Sequence, residues 1–113
     1  MSLDSLITFC ETLPGATPLI KIEDHLTYNV GGKSFLWLGQ EYVPVSCSFK
    51  CTDEDFMALQ EREGFVPAPY MARNKWMMCQ DIGLLTKEDM ERYILSSYQL
   101  MRDTLPKKVR ENL

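Results

Sequence analysis

Residues Val45 to Cys51 alternate without a break. Val45, Cys47, Phe49 and Cys51 are apolar, and Ser46, Ser48 and Lys50 between them are polar. Successive side chains of a strand point to opposite faces, so this segment predicts a strand with one face in a core and the other toward solvent. A slip of one residue would expose Phe49 and bury Lys50, so the register is strongly specified. A sheet with one apolar face must be covered, and helices are therefore expected on the side of Cys47 and Phe49.

The rest of the chain supplies those helices and further strands. Leu3, Leu6, Ile7, Cys10 and Leu13 recur at helical spacing, and Pro14-Gly15 ends that helix. Pro18 to Asp24 reads as a lead-in to a strand from Leu26 to Val30. Gly31-Gly32 offers the two positive-φ positions of a tight hairpin turn. A strand from Lys33 to Leu38 follows, with Phe35 and Trp37 on one face and Leu36 and Leu38 on the other. Thr52, with Asp55 three residues on, predicts the start of a second helix. Phe56, Leu59 and Met57 are its expected buried side, and Gly64 stops it. Pro67 and Pro69 keep Phe65 to Tyr70 extended, and Trp76 to Ile82 reads as a strand. Thr86 and Asp89 repeat the capping pattern ahead of a stripe of Met90, Ile94, Tyr98, Met101 and Leu105. Pro106 follows, and Lys107, Lys108 and Arg110 complement the C-terminal end of the helix dipole. The order is helix, three strands, helix, one or two strands, helix. It predicts a two-layer α+β sandwich: an antiparallel meander with helices on one face and the other face partly open.

The chain has 113 residues, 45% of them hydrophobic and 25% charged, which fits one ordinary globular domain over 1–113. No apolar run approaches the roughly 18 residues of a membrane span. The start has no basic stretch of the kind a signal peptide needs, and carries Asp4 and Glu11. Cys10, Cys47, Cys51 and Cys79 form no CxxC pair, and His25 is the one histidine. Cys47 and Cys51 would lie about 13 Å apart along one strand, too far for a disulfide. Four reduced thiols, no structural metal and a cytoplasmic location are expected.

Net charge is −4, and the acids gather in helix starts and loops. The stretch from Gly64 to Gln80 holds only cations, Arg73 and Lys75, interleaved with aromatics. Lys33 and Lys50 make the other strand segments locally basic. Cations set among aromatics suit a phosphate backbone or base stacking. Lys33, Lys50, Arg73 and Lys75 are candidate phosphate contacts, Tyr70 and Trp76 candidate stacking platforms, and Asn74 sits among them. The competing reading of the same segment is a Pro-stiffened loop feeding a core strand.

Catalytic templates fail. There is no G-x-S-x-G, and Gly31-Gly32-Lys33-Ser34 lacks the first glycine and the helix of a phosphate-binding loop. Asp53-Glu54-Asp55 reads as a dipole complement, and Met77-Met78 beside Cys79 reads as core. No catalytic residue, cofactor or metal ligand is expected.

Five segments together carry a resemblance. They are Leu13-Pro14-Gly15; Val30-Gly31-Gly32-Lys33 with Phe35; Ser48-Phe49-Lys50-Cys51; Pro67-Ala68-Pro69-Tyr70-Met71-Ala72-Arg73 leading to Lys75-Trp76; and Ser97-Tyr98-Gln99-Leu100 ahead of Leu105-Pro106-Lys107-Lys108. In this order the chain resembles the MmcQ/YjbR family of small bacterial proteins, from about Leu3 to Lys108. The resemblance implies a CyaY-like sandwich and a predicted DNA-binding role through a "double wing" of sheet hairpins. Many members carry Asn-Lys-Lys-His-Trp where this chain has Arg73-Asn74-Lys75-Trp76, with one cation and the histidine missing. Two non-enzymatic roles stand open: binding DNA or another phosphate-bearing ligand, and docking a protein partner on the open sheet face. A monomer is expected.

Overall fold

A computed structural model of the chain describes residues 1–21, 25–69 and 74–113. Helix α1 (Leu3–Glu11) starts at Ser2, whose hydroxyl accepts from the Ser5 amide, and it buries Leu6 and Cys10. Four strands follow: β1 (Ala16–Ile20), β2 (Leu26–Val30), β3 (Lys33–Gly39) and β4 (Ser46–Lys50). Then come α2 (Asp53–Leu59), β5 (Phe65–Pro67) and β6 (Trp76–Cys79). A 3-10 turn, Ile82–Leu84, leads to α3 (Lys87–Asp89), a π-helical segment (Met90–Ile94) and α4 (Leu95–Asp103), and α5 (Lys107–Arg110) is the last element.

The strands form one sheet in the order β1-β2-β3-β4-β6-β5, and every neighbouring pair is antiparallel. Cys47, Phe49 and Cys51 are buried, as the alternation requires. Phe49 pairs with Leu36 and Met77, and Cys47 with Leu38 and Cys79, so all six point to the same side. That side meets Leu6, Cys10, Ile94 and Tyr98 in the main core. Phe35 meets Tyr98 edge-on at 5.4 Å. The architecture is the expected α+β sandwich.

Several expectations need correction. The sheet is not a simple meander. The chain leaves β4, crosses through α2 to the far edge as β5, and returns as β6 between them. Ala16–Ile20 is itself a strand, although Pro18 lowers its propensity, because an edge strand tolerates the missing amide. Phe35 and Leu36 are both buried, because the β2–β3 register slips between Tyr28 and Asn29 and leaves Phe35 in a bulge. Ser46 is buried rather than outward, because Gly39 and Tyr42 close over it. Met57 is 71% exposed. The last strand stops at Cys79, where the backbone turns into the 3-10 segment.

The caps follow the sequence. Thr52 accepts from the Asp55 amide, and Thr86 with Asp89 forms a complete capping box. The π-helical segment widens the following turn, and adjacent residues both reach the sheet: Tyr93 stacks on Phe49 at 6.2 Å while Ile94 is fully buried.

Candidate functional site

The basic candidates share one end of the sheet. Lys33 follows the β2–β3 turn, Lys50 closes β4 opposite Trp76, and the Cys51 amide donates to the Lys75 carbonyl. Lys33, Asn74 and Lys75 are exposed. Their environments differ from an open cationic patch. The Lys50 ammonium donates to the Asn74 carbonyl at 2.8 Å. Lys75, at φ 63°, holds its ammonium 5.2 Å above the Phe56 ring, one helical turn from Asp53. Trp76 is only 7% exposed, so its ring is packed in protein and offers no stacking face, contrary to expectation. Tyr70 and Arg73 lie outside the described residues.

The open face carries a different constellation. A row of cross-strand partners crosses the sheet here: Thr27, Trp37, Ser48, Met78 and Val66, one from each of five neighbouring strands. Period-two alternation places them opposite Cys47 and Phe49. Over part of this row lies a hollow of about 340 Å³, with Trp37, Tyr42 and His25 as an aromatic wall, Met78 and Pro69 as apolar surface, and the Ser48 hydroxyl at its base. His25 lies edge-on between Trp37, at 6.1 Å, and Tyr42, at 5.9 Å. A second hollow of about 420 Å³ shares Tyr42, Ser46, Pro69 and Met78 with the first and extends past Val43 and Pro44. The two form one groove. Among the described residues, no charged side chain lines either part. Val43 at its rim is 99% exposed and Tyr42 53%.

The side of the groove toward β1 is held rigidly. Lys21 places its ammonium 5.2 Å above the Trp37 ring and donates to Ser34 Oγ at 2.6 Å. Ser34 donates to Asn29 Oδ1, Asn29 donates to Thr27 Oγ1, and Thr27 donates to the Leu19 carbonyl. Thr27 and Asn29 are buried, and this chain satisfies them. Trp37 is thereby fixed between a cation and a histidine edge. The sequence marks His25 only as the one histidine and Trp37 only as sharing a strand face with Phe35. Their convergence depends on the register of β2 and β3 and on the loop after Gly39, which composition does not reveal.

Among the described residues, no set of three His, Cys, Asp or Glu side chains is placed to hold a metal ion. The four thiols are free and buried. Burial pushes Cys10 and Cys51 up to about 12. Cys47 and Cys79 sit directly opposite on β4 and β6, a pairing that sequence spacing does not suggest. Their mutual hydrogen bond holds Cys79 below the usual thiol value and raises Cys47 well above it. Among the described residues no helix is long and apolar enough to cross a membrane.

A family model described as YjbR matches residues 11–100. In fold the chain is similar to the crystal structure of Deinococcus radiodurans protein DR2400, which carries a domain described as DUF419. The TM-score is 0.88 at 19% identity, over 98% of this chain and 86% of that one. It is also similar to the crystal structure of a Pseudomonas syringae protein, with a TM-score of 0.71 at 19% identity, over 89% of this chain and 99% of that one. No curated protein matches the chain.

Proposed function

The chain belongs to the YjbR family, and we propose that it is a non-enzymatic binding protein that docks an apolar segment of a partner protein in the groove on its open sheet face. The observation that carries this reading is the uncharged lining of two adjoining hollows, with Trp37 and Tyr42 as walls and Val43 exposed at the rim. A phosphate backbone needs cations, and the described residues of the lining include none. An apolar side chain needs a preformed concave apolar surface with a few polar groups to orient it. The Ser48 hydroxyl and the His25 ring are suited to a partner's backbone amides and carbonyls. Central aromatic anchors dominate the energetics of such interfaces.

Selection from a random peptide library tests this. Enriched peptides should share an aromatic or branched aliphatic anchor. Their affinity should change little between low and high salt. Met78→Glu and Trp37→Ala should each weaken binding at least about tenfold, the effect of losing roughly 1.4 kcal/mol, while the folded spectrum is kept. Enrichment of acidic peptides alone, or affinity unchanged in both variants, would overturn the reading.

A second reading rests on Lys33, Lys50, Asn74 and Lys75 sharing one sheet end. In this reading the DNA-binding role that the family resemblance implies would be carried there, with the β2–β3 hairpin as a wing. Each phosphate contact would add about 0.9 to the salt slope of duplex binding. Lys33→Ala and Lys75→Ala should then each flatten that slope. A titration at low salt that finds no duplex affinity removes this reading and leaves the groove.

A further inference from the structure

The C-terminal turn of the molecule builds a feature that neither the groove nor the hairpin end uses. Leu105 is buried and packs beneath Gly31, where an added Cβ would lie 2.5 Å from a Leu105 methyl. This contact anchors the turn after α4, and Pro106 starts α5 immediately beyond it. The chain folds back, and Arg102 from the end of α4 converges with Lys107 and Arg110 from α5. Together with Glu111 they line an open cleft of about 300 Å³. Three cations and one acid give the lining a net charge of +2. The acid does little to neutralise it: Glu111 reaches Lys107 only at 3.9 Å, with the two side chains 63% and 82% exposed.

Complementing the helix dipole explains part of this arrangement. Arg102 and Arg110 both lie in last turns, near carbonyl ends. That explanation leaves one atom over. The Nε of Arg110 is buried and, among the described residues, has no hydrogen-bond acceptor. A guanidinium is always charged, and a buried N–H of such a group calls for an acceptor. The lining offers one candidate, Glu111, whose carboxylate accepts no bond from it.

We propose that this cleft is an oxyanion site and that it takes a phosphate group. A phosphate dianion matches the net charge of the lining. Its oxygens can accept from the Arg110 fork in the two-bond geometry that guanidinium offers, with Arg102 and Lys107 as further donors. The same chemistry would serve a free phosphate, a phosphate monoester or a phosphate of a nucleic-acid backbone. The site is independent of the apolar groove, so either can fail without the other.

The test is thermal unfolding and calorimetric titration with inorganic phosphate and pyrophosphate, against sodium chloride at matched ionic strength. Both phosphates should raise the melting temperature above the chloride control. Arg110→Gln should abolish the shift, and Arg110→Lys, which keeps the charge but loses the fork, should weaken binding roughly tenfold. Lys108→Gln removes the same charge from α5 outside the cleft and should leave phosphate binding within about twofold of the parent. If Arg110→Gln does not fold, Arg102→Gln carries the same expectation. Equal melting temperatures in phosphate and chloride would overturn the proposal, as would a Lys108→Gln loss as large as that of Arg110→Gln. A short duplex is titrated in parallel. Duplex binding that requires Arg110 alongside phosphate binding assigns the source as a backbone phosphate. Phosphate binding without duplex binding assigns a small ligand. Duplex binding that ignores Arg110, with no response to phosphate, overturns the site.

Discussion

Ser97 ties the helical layer to the backbone of two strands. It is fully buried on α4, accepts from the Lys50 amide at 3.0 Å and donates to the Phe35 carbonyl at 2.6 Å. Those two backbone groups lie where β3 bulges and β4 ends, beyond regular ladder pairing. Ser97→Ala leaves both buried and unpaired, and should cost about 1–3 kcal/mol by urea unfolding. A change under about 0.5 kcal/mol would mean that water replaces the hydroxyl. Asp89 acts through charge. Arg62 holds it in a two-bond pair at 2.9 and 3.0 Å, and chiefly for that reason its carboxyl titrates at about 2, below the usual 3.8. A folded value below the unfolded one means the contribution is fully present above about pH 3.8 and is lost as pH falls through about 2. Asp89→Asn should therefore lower stability at neutral pH and flatten the pH dependence in that acid window; parallel curves for parent and variant would refute the assignment. At this scale sequence was a good guide to Cys47, Phe49 and Thr86, whose roles depend on nearest neighbours along the chain. It was a poor guide to Ser97 and Trp76, whose partners Phe35 and Lys50 lie dozens of positions away.

Among the elements, the β2–β3 hairpin shows where local rules suffice and where they stop. Gly31 and Gly32 both take positive φ, 56° and 83°, as a tight turn demands. Their surroundings differ. A Cβ on Gly31 would strike Leu105, whereas one on Gly32 meets nothing within 4 Å. Gly32→Ala should cost roughly 1–2 kcal/mol, the strain of a left-handed Cβ alone. Gly31→Ala should cost more, by about 1–3 kcal/mol for the displaced Leu105. Equal losses in thermal unfolding would show that Leu105 moves freely. The turn could be read from two adjacent glycines. The bulge three residues later could not, because it answers to the need to bury Phe35 against Tyr98, a partner on another element. The π-helical segment was hidden for the same reason: the periodicity from Met90 to Leu105 looks helical, and only the facing sheet decides that Tyr93 and Ile94 must both reach it.

For the whole molecule, the layering followed from the alternation of β4 and the amphipathic helices, because an apolar face permits few arrangements. The strand order did not, because Pro67 and Pro69 mark an extended segment without saying which edge it joins. The open face was likewise anticipated as open but not as grooved, since the groove gathers His25, Trp37, Tyr42, Pro69 and Met78 from distant stretches. The placement of β6 between β4 and β5 has a kinetic corollary. A chain synthesised from its N-terminus can zip β1 to β4 in sequence, but it cannot seat β5 until β6 exists to receive it. The first four of the six strands can therefore form early, while β5 and β6 must arrive together and close against β4 as one late cooperative unit. Pulsed hydrogen exchange during refolding should protect the amides of β2 and β3 first, and those of Ala68, Met77 and Cys79 later and in step with one another; the Ala68 amide donates to the Trp76 carbonyl and so reports the joining of β5 to β6. Protection of β5 ahead of β6 would contradict that order of assembly.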